Sequence, residues 1–278
     1  MKSTDIRIKN IKTIENIKTI IKLHKSIWGL DDFEITPPHI YKATLQTGGH
    51  ILIAYKNKEP AGFIYGFPGF DSEGSRYFYI HNLGVEKKFR SLGIGLKLNF
   101  QLRKILLKES YNTVKWTFDP LESTNANLYI GKMGGIVEDY IKDYYGKMTD
   151  ELNKNISSDR MIIKWKIKSS RVVEKLNSRD SFYTINDIEK SKCLNFISKD
   201  KKPKNNNSNS ISDFYFLEIP ANYHEIKIDS FDITREWRLY VRNILQSFLK
   251  KGFVIVDTVY YNKRFFYVLS YKNSNIKG

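Results

Sequence analysis

Between residues 14 and 28, the apolar residues Ile14, Ile17, Ile20, Ile21, Leu23 and Ile27 recur at the spacing of an amphipathic helix. Pro37-Pro38 interrupt the chain, and a short helix is expected over 39–46. Residues 6–8, 50–55, 61–67 and 77–85 read as strands, with Asn57-Lys58-Glu59-Pro60 turning a hairpin between the second and third. A helix over 93–108, a strand over 113–119, a helix over 125–133 and strands over 136–140 and 160–167 follow. A break near Ser169 opens a second block: strand 214–219, a long helix 230–251, and strands 253–260 and 265–271 around the turn Tyr261-Asn262-Lys263-Arg264. The Lys- and Asn-rich tract 199–212 lacks the apolar content of a core and is expected to be a mobile surface loop. The order predicts an α/β protein of the α+β kind with a mixed sheet. Its first domain is expected over 1–168, with a smaller C-terminal β-α-β-β extension over 169–278 packed on it.

The most specific chemistry lies where the strand 77–85 gives way to the helix 93–108. The run is Leu83-Gly84-Val85-Glu86-Lys87-Lys88-Phe89-Arg90-Ser91-Leu92-Gly93-Ile94-Gly95, with the spacing Arg-x-x-Gly-x-Gly from Arg90 to Gly95. Glycines let the backbone approach a ligand closely. The first amides of the helix lack partners within it, and its dipole is positive at that end. Such a turn suits a pyrophosphate, with Lys87, Lys88 and Arg90 adding charge.

Three phosphate sites compete with an ordinary strand–turn–helix. A nucleotide P-loop needs Lys-Ser/Thr after its last glycine, and Leu96-Lys97-Leu98 stands there instead. A dinucleotide fingerprint needs a third glycine, which is missing, and Arg90 replaces its first. The third is an acyl-coenzyme A site. The run resembles the Arg/Gln-x-x-Gly-x-Gly/Ala signature of the GNAT acyltransferase superfamily.

Downstream residues extend that resemblance. They are Trp116-Thr117-Phe118-Asp119-Pro120-Leu121, Asn125-Ala126, residues 128–135, Tyr145-Gly146-Lys147-Met148-Thr149-Asp150, Leu152-Asn153, Ser158-Asp159-Arg160 and Leu217-Glu218-Ile219-Pro220-Ala221, with Trp237, Arg238 and Arg242. Their order is similar to a branch of bacterial and archaeal predicted N-acetyltransferases with a C-terminal extension. The resemblance implies the GNAT fold, acetyl-CoA as cosubstrate and an amine acceptor. It implies that Leu83, Gly84 and Val85 hold the pantetheine arm and polarise the thioester, while residues 90–95 hold the pyrophosphate. Asn125 would line the coenzyme channel.

Acyl transfer to an amine also needs a proton acceptor and a proton donor. His81 lies four residues before Val85, which in a regular strand places both on one face. Many GNAT enzymes carry a glutamate near this point, and an imidazole titrating near 6.5 suits the task. A hydrogen-bonded, partly buried histidine is the bland alternative. Asp119 could take the same proton, or simply cap the chain ahead of Pro120. The tyrosine that many GNAT enzymes place four residues before a glycine is Ile130 here, counted from Gly134, with Tyr129 one position away. The thiolate then takes its proton from Tyr129, from Tyr144 or Tyr145, or from water. Asp150, Asn153, Asp159 and Arg160 read as a surface turn or a substrate rim. Arg238 and Arg242, at i,i+4, could bind a carboxylate, or brace the two domains through salt bridges.

Composition narrows the setting. The 278 residues are 41% hydrophobic and 14% aromatic, enough for a large core. No apolar run approaches the ~20 residues of a membrane span, and the polar N-terminus does not read as a secretory signal. The single Cys193 excludes an internal disulfide, and a cytoplasmic location is expected. No metal-ligand spacing appears. The net charge of +16 comes from the excess of Lys and Arg and reads as compositional drift, since Lys, Ile and Asn are all abundant; it would still help attract polyanionic coenzyme A. Nucleic acid would be the third reading, on charge alone. The expected function is acetyl transfer to a primary amine, of a small molecule or peptide, by direct attack. A GNAT-fold coenzyme-binding or regulatory protein without turnover is the alternative.

Overall fold

The computed structural model describes residues 5–29, 35–146, 156–178, 182–189, 192–206 and 211–272. Packing density divides the chain into two compact units, 1–116 and 117–278. This division follows contacts, whereas the expected boundary at 168/169 follows the break in the sequence near Ser169.

In the first unit, strands β1 (Ile6–Asn10), β2 (His50–Lys56), β3 (Glu59–Phe70), β4 (Arg76–Val85) and β5 (Thr113–Phe118) lie in sequential order, the unit boundary falling inside β5. Pairing is antiparallel up to β4 and parallel between β4 and β5. Helix α1 (Ile14–Trp28) occupies the predicted residues, and α2 is Pro38–Gln46. Ile17, Ile20 and Leu23 of α1 and Tyr41 of α2 form one core with Ile51, Ile53, Phe63 and Tyr65. Each such aliphatic burial is worth about 1.5–3 kcal/mol. The alternate residues Leu52, Ala54 and Ile64 are buried too, on the opposite face. There α3 (Ile94–Lys108) packs, burying Ile94, Leu98, Leu102 and Leu106.

In the second unit, β6 (Ile136–Ile141), β7 (Arg160–Lys166), β10 (Phe214–Ile219), β11 (Phe253–Tyr261) and β12 (Arg264–Tyr271) run in the order β7-β6-β11-β12-β10. The short strands β8 (Asn195–Ile197) and β9 (Pro203–Asn205) pair separately. Part of the tract expected to be loop is therefore strand. Its lysines reach acidic partners, Lys201 to Asp229 and Lys202 to Glu236, and Trp237 Nε1–H donates to Lys201 O at 2.7 Å. Residues 207–210 of the tract lie outside the described residues.

Helix α7 (Phe231–Lys250) starts at the Ser230 N-cap, whose hydroxyl accepts from Ile233 N–H, and buries Trp237, Val241 and Leu245. Three helices depart from the sequence expectation. Instead of one helix over 125–133, α4 (Ser123–Ala126) passes into a π turn over Asn127–Lys132, closed by Met133 N–H to Leu128 O at 3.1 Å. Helices α5 (Ser170–Ser178) and α6 (Tyr223–Asp229) were not predicted. The buried side chains of α5 are Arg171, Val172 and Lys175, so two of the three are cationic and no apolar stripe marks it.

The β2–β3 and β11–β12 hairpins both turn on Asn-Lys. Asn57 and Lys58 have φ of 50° and 70°, and Asn262 and Lys263 have 48° and 62°. Left-handed values at both central residues suit the twist of a two-residue hairpin, and asparagine tolerates them.

Candidate active site

The loop after β4 is built around a helix N-terminus. A 3₁₀ turn over Lys87–Phe89 leads to Arg90, and Ser91 and Gly93 then adopt left-handed φ of 64° and 74°. Gly93 is the N-cap of α3, and an added Cβ there would meet nothing within 4 Å. Its glycine is thus required by backbone angle rather than by space. The first backbone bond into α3 runs from Lys97 N–H to Gly93 O at 3.0 Å. The N–H groups of residues 91–96 meet no acceptor among the described residues. A consecutive run of free donors at the positive end of a helix is an anion site.

The basic residues contribute unequally. Lys88 is paired with Glu59. Lys87 and Arg90 are exposed, and Arg90 Nε donates to Val85 O at 3.3 Å. Ser26 of α1 donates to Glu86 at 2.8 Å and ties the start of the loop down.

Strand β4 opens before this loop. Its parallel register with β5 runs only over Phe78–Val114 and Tyr79–Lys115. From residue 80 to 85 its pairing is with β3, so the other edge offers main-chain groups to a ligand. Leu83, Gly84 and Val85 lie on this stretch. Gly84 is needed for packing, because a Cβ would stand 2.5 Å from the Trp28 ring.

A bulge separates the faces of His81 and Val85. Gly66 pairs with Ile80 and Tyr65 with Asn82, so His81 is the extra residue of β4. His81 and Asn82 therefore share the α1–α2 face, with Tyr79 and Tyr65. Beyond the bulge, Leu83 and Val85 turn to the α3 face. The same-face relation between His81 and Val85 expected from regular alternation does not hold, because alternation is broken at His81 itself. Its ring lies 5.1 Å from Tyr65 and 5.8 Å from Phe67, and is more than a third exposed.

Burial holds the His81 pKa below its ordinary 6.5. His24 of α1 is 3% exposed, and burial first, then the nearby His81, lower its pKa also. Both rings resist protonation in the folded chain, while an unfolded histidine binds a proton below about pH 6.5. The contribution of these two groups to stability is thus complete above about pH 6.5 and declines as pH falls below it. Urea midpoints at about pH 7.5 and about pH 5.5 should show the decline, and His81→Ala should reduce it.

The remaining candidates belong to the second unit. Asp119 accepts from Leu121 N–H at 2.8 Å, as a cap does, and both its oxygens are held by the Arg238 guanidinium, at 2.9 and 2.5 Å. Burial alone would raise its pKa, but Arg238, Lys227 and Arg160 together hold it below 3.8. A carboxylate so occupied is a weak proton acceptor. Asp159 is fully buried rather than on a surface turn, with Arg242 Nε and Nη2 at 2.7 and 2.9 Å and Tyr140 OH at 2.5 Å. Arg238 and Arg242 are thus held in salt bridges, and both partners of each pair lie within the unit 117–278. Arg160 stacks on Tyr145 at 4.9 Å, and Asp150 and Asn153 lie outside the described residues.

Asn125 is partly exposed on α4. Tyr129 is 7% exposed within the π turn, edge-on to Phe118 at 5.7 Å, and burial raises its pKa. Ile130 is fully buried. A π turn absorbs one extra residue, so five residues from Tyr129 to Gly134 span about the turn that four span in an α-helix. The one-position offset of the tyrosine has its counterpart in this winding.

Among the described residues no helix is long and apolar enough to cross a membrane, and no His/Cys/Asp/Glu group is arranged to hold a metal. No curated protein sequence matches the chain. Several solved structures superpose on part of it. The NatC complex bound to Gag peptide and CoA shares 23% identity, covering 58% of this chain and 98% of that one, with a TM-score of 0.47. The ribosomal-protein-S18-alanine N-acetyltransferase from Escherichia coli shares 14%, covering 59% and 96%, with a TM-score of 0.47. A GNAT family acetyltransferase from Elizabethkingia anophelis with acetyl-CoA bound shares 18%, covering 58% and 98%, with a TM-score of 0.43. These superpositions are weak over the whole chain. The sequence match to the family described as acetyltransferase (GNAT) spans residues 17–134, from α1 through β4, the free-amide loop and α3 to the π turn. That stretch is less than half of the chain, and over it the sequence is similar to the GNAT acetyltransferase family.

Proposed function

We propose that this protein is an acyl-CoA-dependent N-acyltransferase that moves acetyl from acetyl-CoA to a primary amine by direct attack. The observation that carries the reading is the run of unpartnered N–H groups over residues 91–96, at the N-terminus of α3 within the family match. These amides, with Lys87 and Arg90, would hold the pyrophosphate. The open edge of residues 83–85 would accept the pantetheine arm and stabilise charge developing on the thioester oxygen. Coenzyme A supplies the activated acyl group. The resemblance to the branch with a C-terminal extension makes residues 169–278 an appendage to that domain.

His81 would take the proton from the attacking amine. It is exposed, and its lowered pKa leaves it neutral at pH 7, the form that accepts a proton. Asp119 would serve structure, through Arg238. Asn125 would line the coenzyme channel. Tyr129 would protonate the leaving thiolate, although its raised pKa makes it a reluctant donor. A covalent route through Cys193 is disfavoured, since the thiol is 9% exposed and burial raises its pKa. The raised Tyr129 pKa also favours a second reading, coenzyme binding without turnover.

Thiol release from acetyl-CoA over a panel of small amines, amino acids and peptides separates the two. His81→Ala should lower the rate by about 10²–10⁴ and leave acetyl-CoA affinity unchanged. A wild-type rate in that variant would remove His81 from the chemistry. Tight coenzyme binding with no thiol release for any acceptor would favour the binding protein.

A further inference from the structure

Asparagine is a poor strand former, and its amide needs a partner once turned toward a core. Asn82 is such a residue. It follows His81 in the β4 bulge and faces α1, where its Nδ2 lies 3.3 Å from His24 Nε2. That is its hydrogen bond among the described residues. The other ring nitrogen, His24 Nδ1, lies 3.3 Å from the Tyr41 hydroxyl of α2. With Asn82 donating to Nε2, the ring proton sits on Nδ1 and is donated to Tyr41. Trp28 and Phe63 meet the ring edge-on, at 4.8 and 5.8 Å, and fix its plane. The groups facing His24 are thus Trp28 of its own helix, Tyr41 of α2, Phe63 of β3, and Asn82 and His81 of β4.

We propose that His24 is a positioning residue for His81: held between Tyr41 and Asn82, its ring pins the second residue of the bulge and so sets where the first residue points. A bulge has one residue without a ladder partner, and its geometry needs an anchor outside the ladder. The imidazole supplies one by joining three elements with two nitrogens on opposite sides of a rigid ring. A neutral amide side chain reaching Asn82 would keep the anchor to β4, while an apolar one would abolish it and leave the Asn82 amide unpaired. The inference rests on the reading of His81 as proton acceptor for its catalytic meaning, but the contact geometry stands without it.

The chain has five histidines, so each ring resonance can be followed by carbon–proton NMR. The experiment titrates His81 in full-length wild type, His24→Leu, His24→Gln and Asn82→Ala, and measures amide exchange at residues 80–83. In His24→Leu and Asn82→Ala the His81 pKa should rise toward the value of a free histidine, and those amides should exchange at least about tenfold faster. His24→Gln should return both readouts toward wild type. If His24→Leu does not fold, Asn82→Ala, which cuts the same bond from the strand side, decides alone. His81 titration and exchange identical to wild type in a folded Asn82→Ala protein would overturn the proposal. No step requires coenzyme or acceptor, so failure of the acyltransfer reading would appear separately, as absent acetyl-CoA binding by the wild type.

Discussion

Gly95→Leu should lose acetyl-CoA binding while the protein melts no lower than wild type. Gly95 is the second residue of α3 and has no positive φ, so a side chain there is compatible with the backbone. In a helix, leucine is favoured over glycine by up to about 1 kcal/mol. Leucine would add bulk at a position within the run of free amides over residues 91–96. Losing two charge-assisted hydrogen bonds, each about 1.5–3 kcal/mol, lowers affinity by about 100-fold or more. Gly93→Leu is the less informative variant, because its left-handed backbone adds about 1–2 kcal/mol of strain to the fold. Calorimetric titration with acetyl-CoA, paired with a thermal melt, distinguishes the two. Unchanged affinity in Gly95→Leu would place the coenzyme elsewhere.

Lys175→Met should be the most destabilising single change in the second unit. Lys175 of α5 and Asp257 of β11 are both fully buried, with Nζ at 3.0 and 2.9 Å from the two carboxylate oxygens. Removing one partner of such a pair leaves a buried charge and costs about 3–5 kcal/mol. Asp257 also accepts from the N–H groups of Phe182 at 2.7 Å and Thr258 at 2.8 Å. Asp257→Leu would orphan those amides, whereas Asp257→Asn keeps an acceptor for them. Adding Asp257→Asn to Lys175→Met should therefore recover much of the loss, and Asp257→Leu less. The measurement is the urea midpoint at constant slope. A midpoint in Lys175→Met equal to wild type would mean that water reaches the pair.

These two sites differ in how far the sequence reveals them. The coenzyme loop is local: its strand, glycines and helix start lie within a short stretch, and backbone chemistry does the rest. Helix α1 and strand β10 are legible for the same reason, since their apolar spacing is undisturbed. The ion pairs are not local. Lys175, Arg238 and Arg242 look like solvated positions on their helices, and their partners Asp257, Asp119 and Asp159 lie far away in the chain. Salt bridges from Arg238 and Arg242 could be anticipated, but not which carboxylates they meet.

The bulge is invisible for a different reason. Nothing about His81-Asn82 breaks the alternation of residues 77–85, so a regular strand puts His81 and Val85 on one face, whereas the bulge sends Val85 to the other. The only hint is a polar asparagine where an apolar strand residue would serve, and it needs the buried His24 to be interpreted. The π turn is similar: Tyr129 looks displaced by one residue until the winding that absorbs that residue is known.

The most direct test of coenzyme binding at the start of α3 is amide NMR of the nitrogen-labelled protein titrated with coenzyme A. The resonances of residues 91–96 should move the most, saturably, as free N–H groups acquire phosphate acceptors. Saturable binding that leaves those amides unmoved, or no binding at all, would contradict that site.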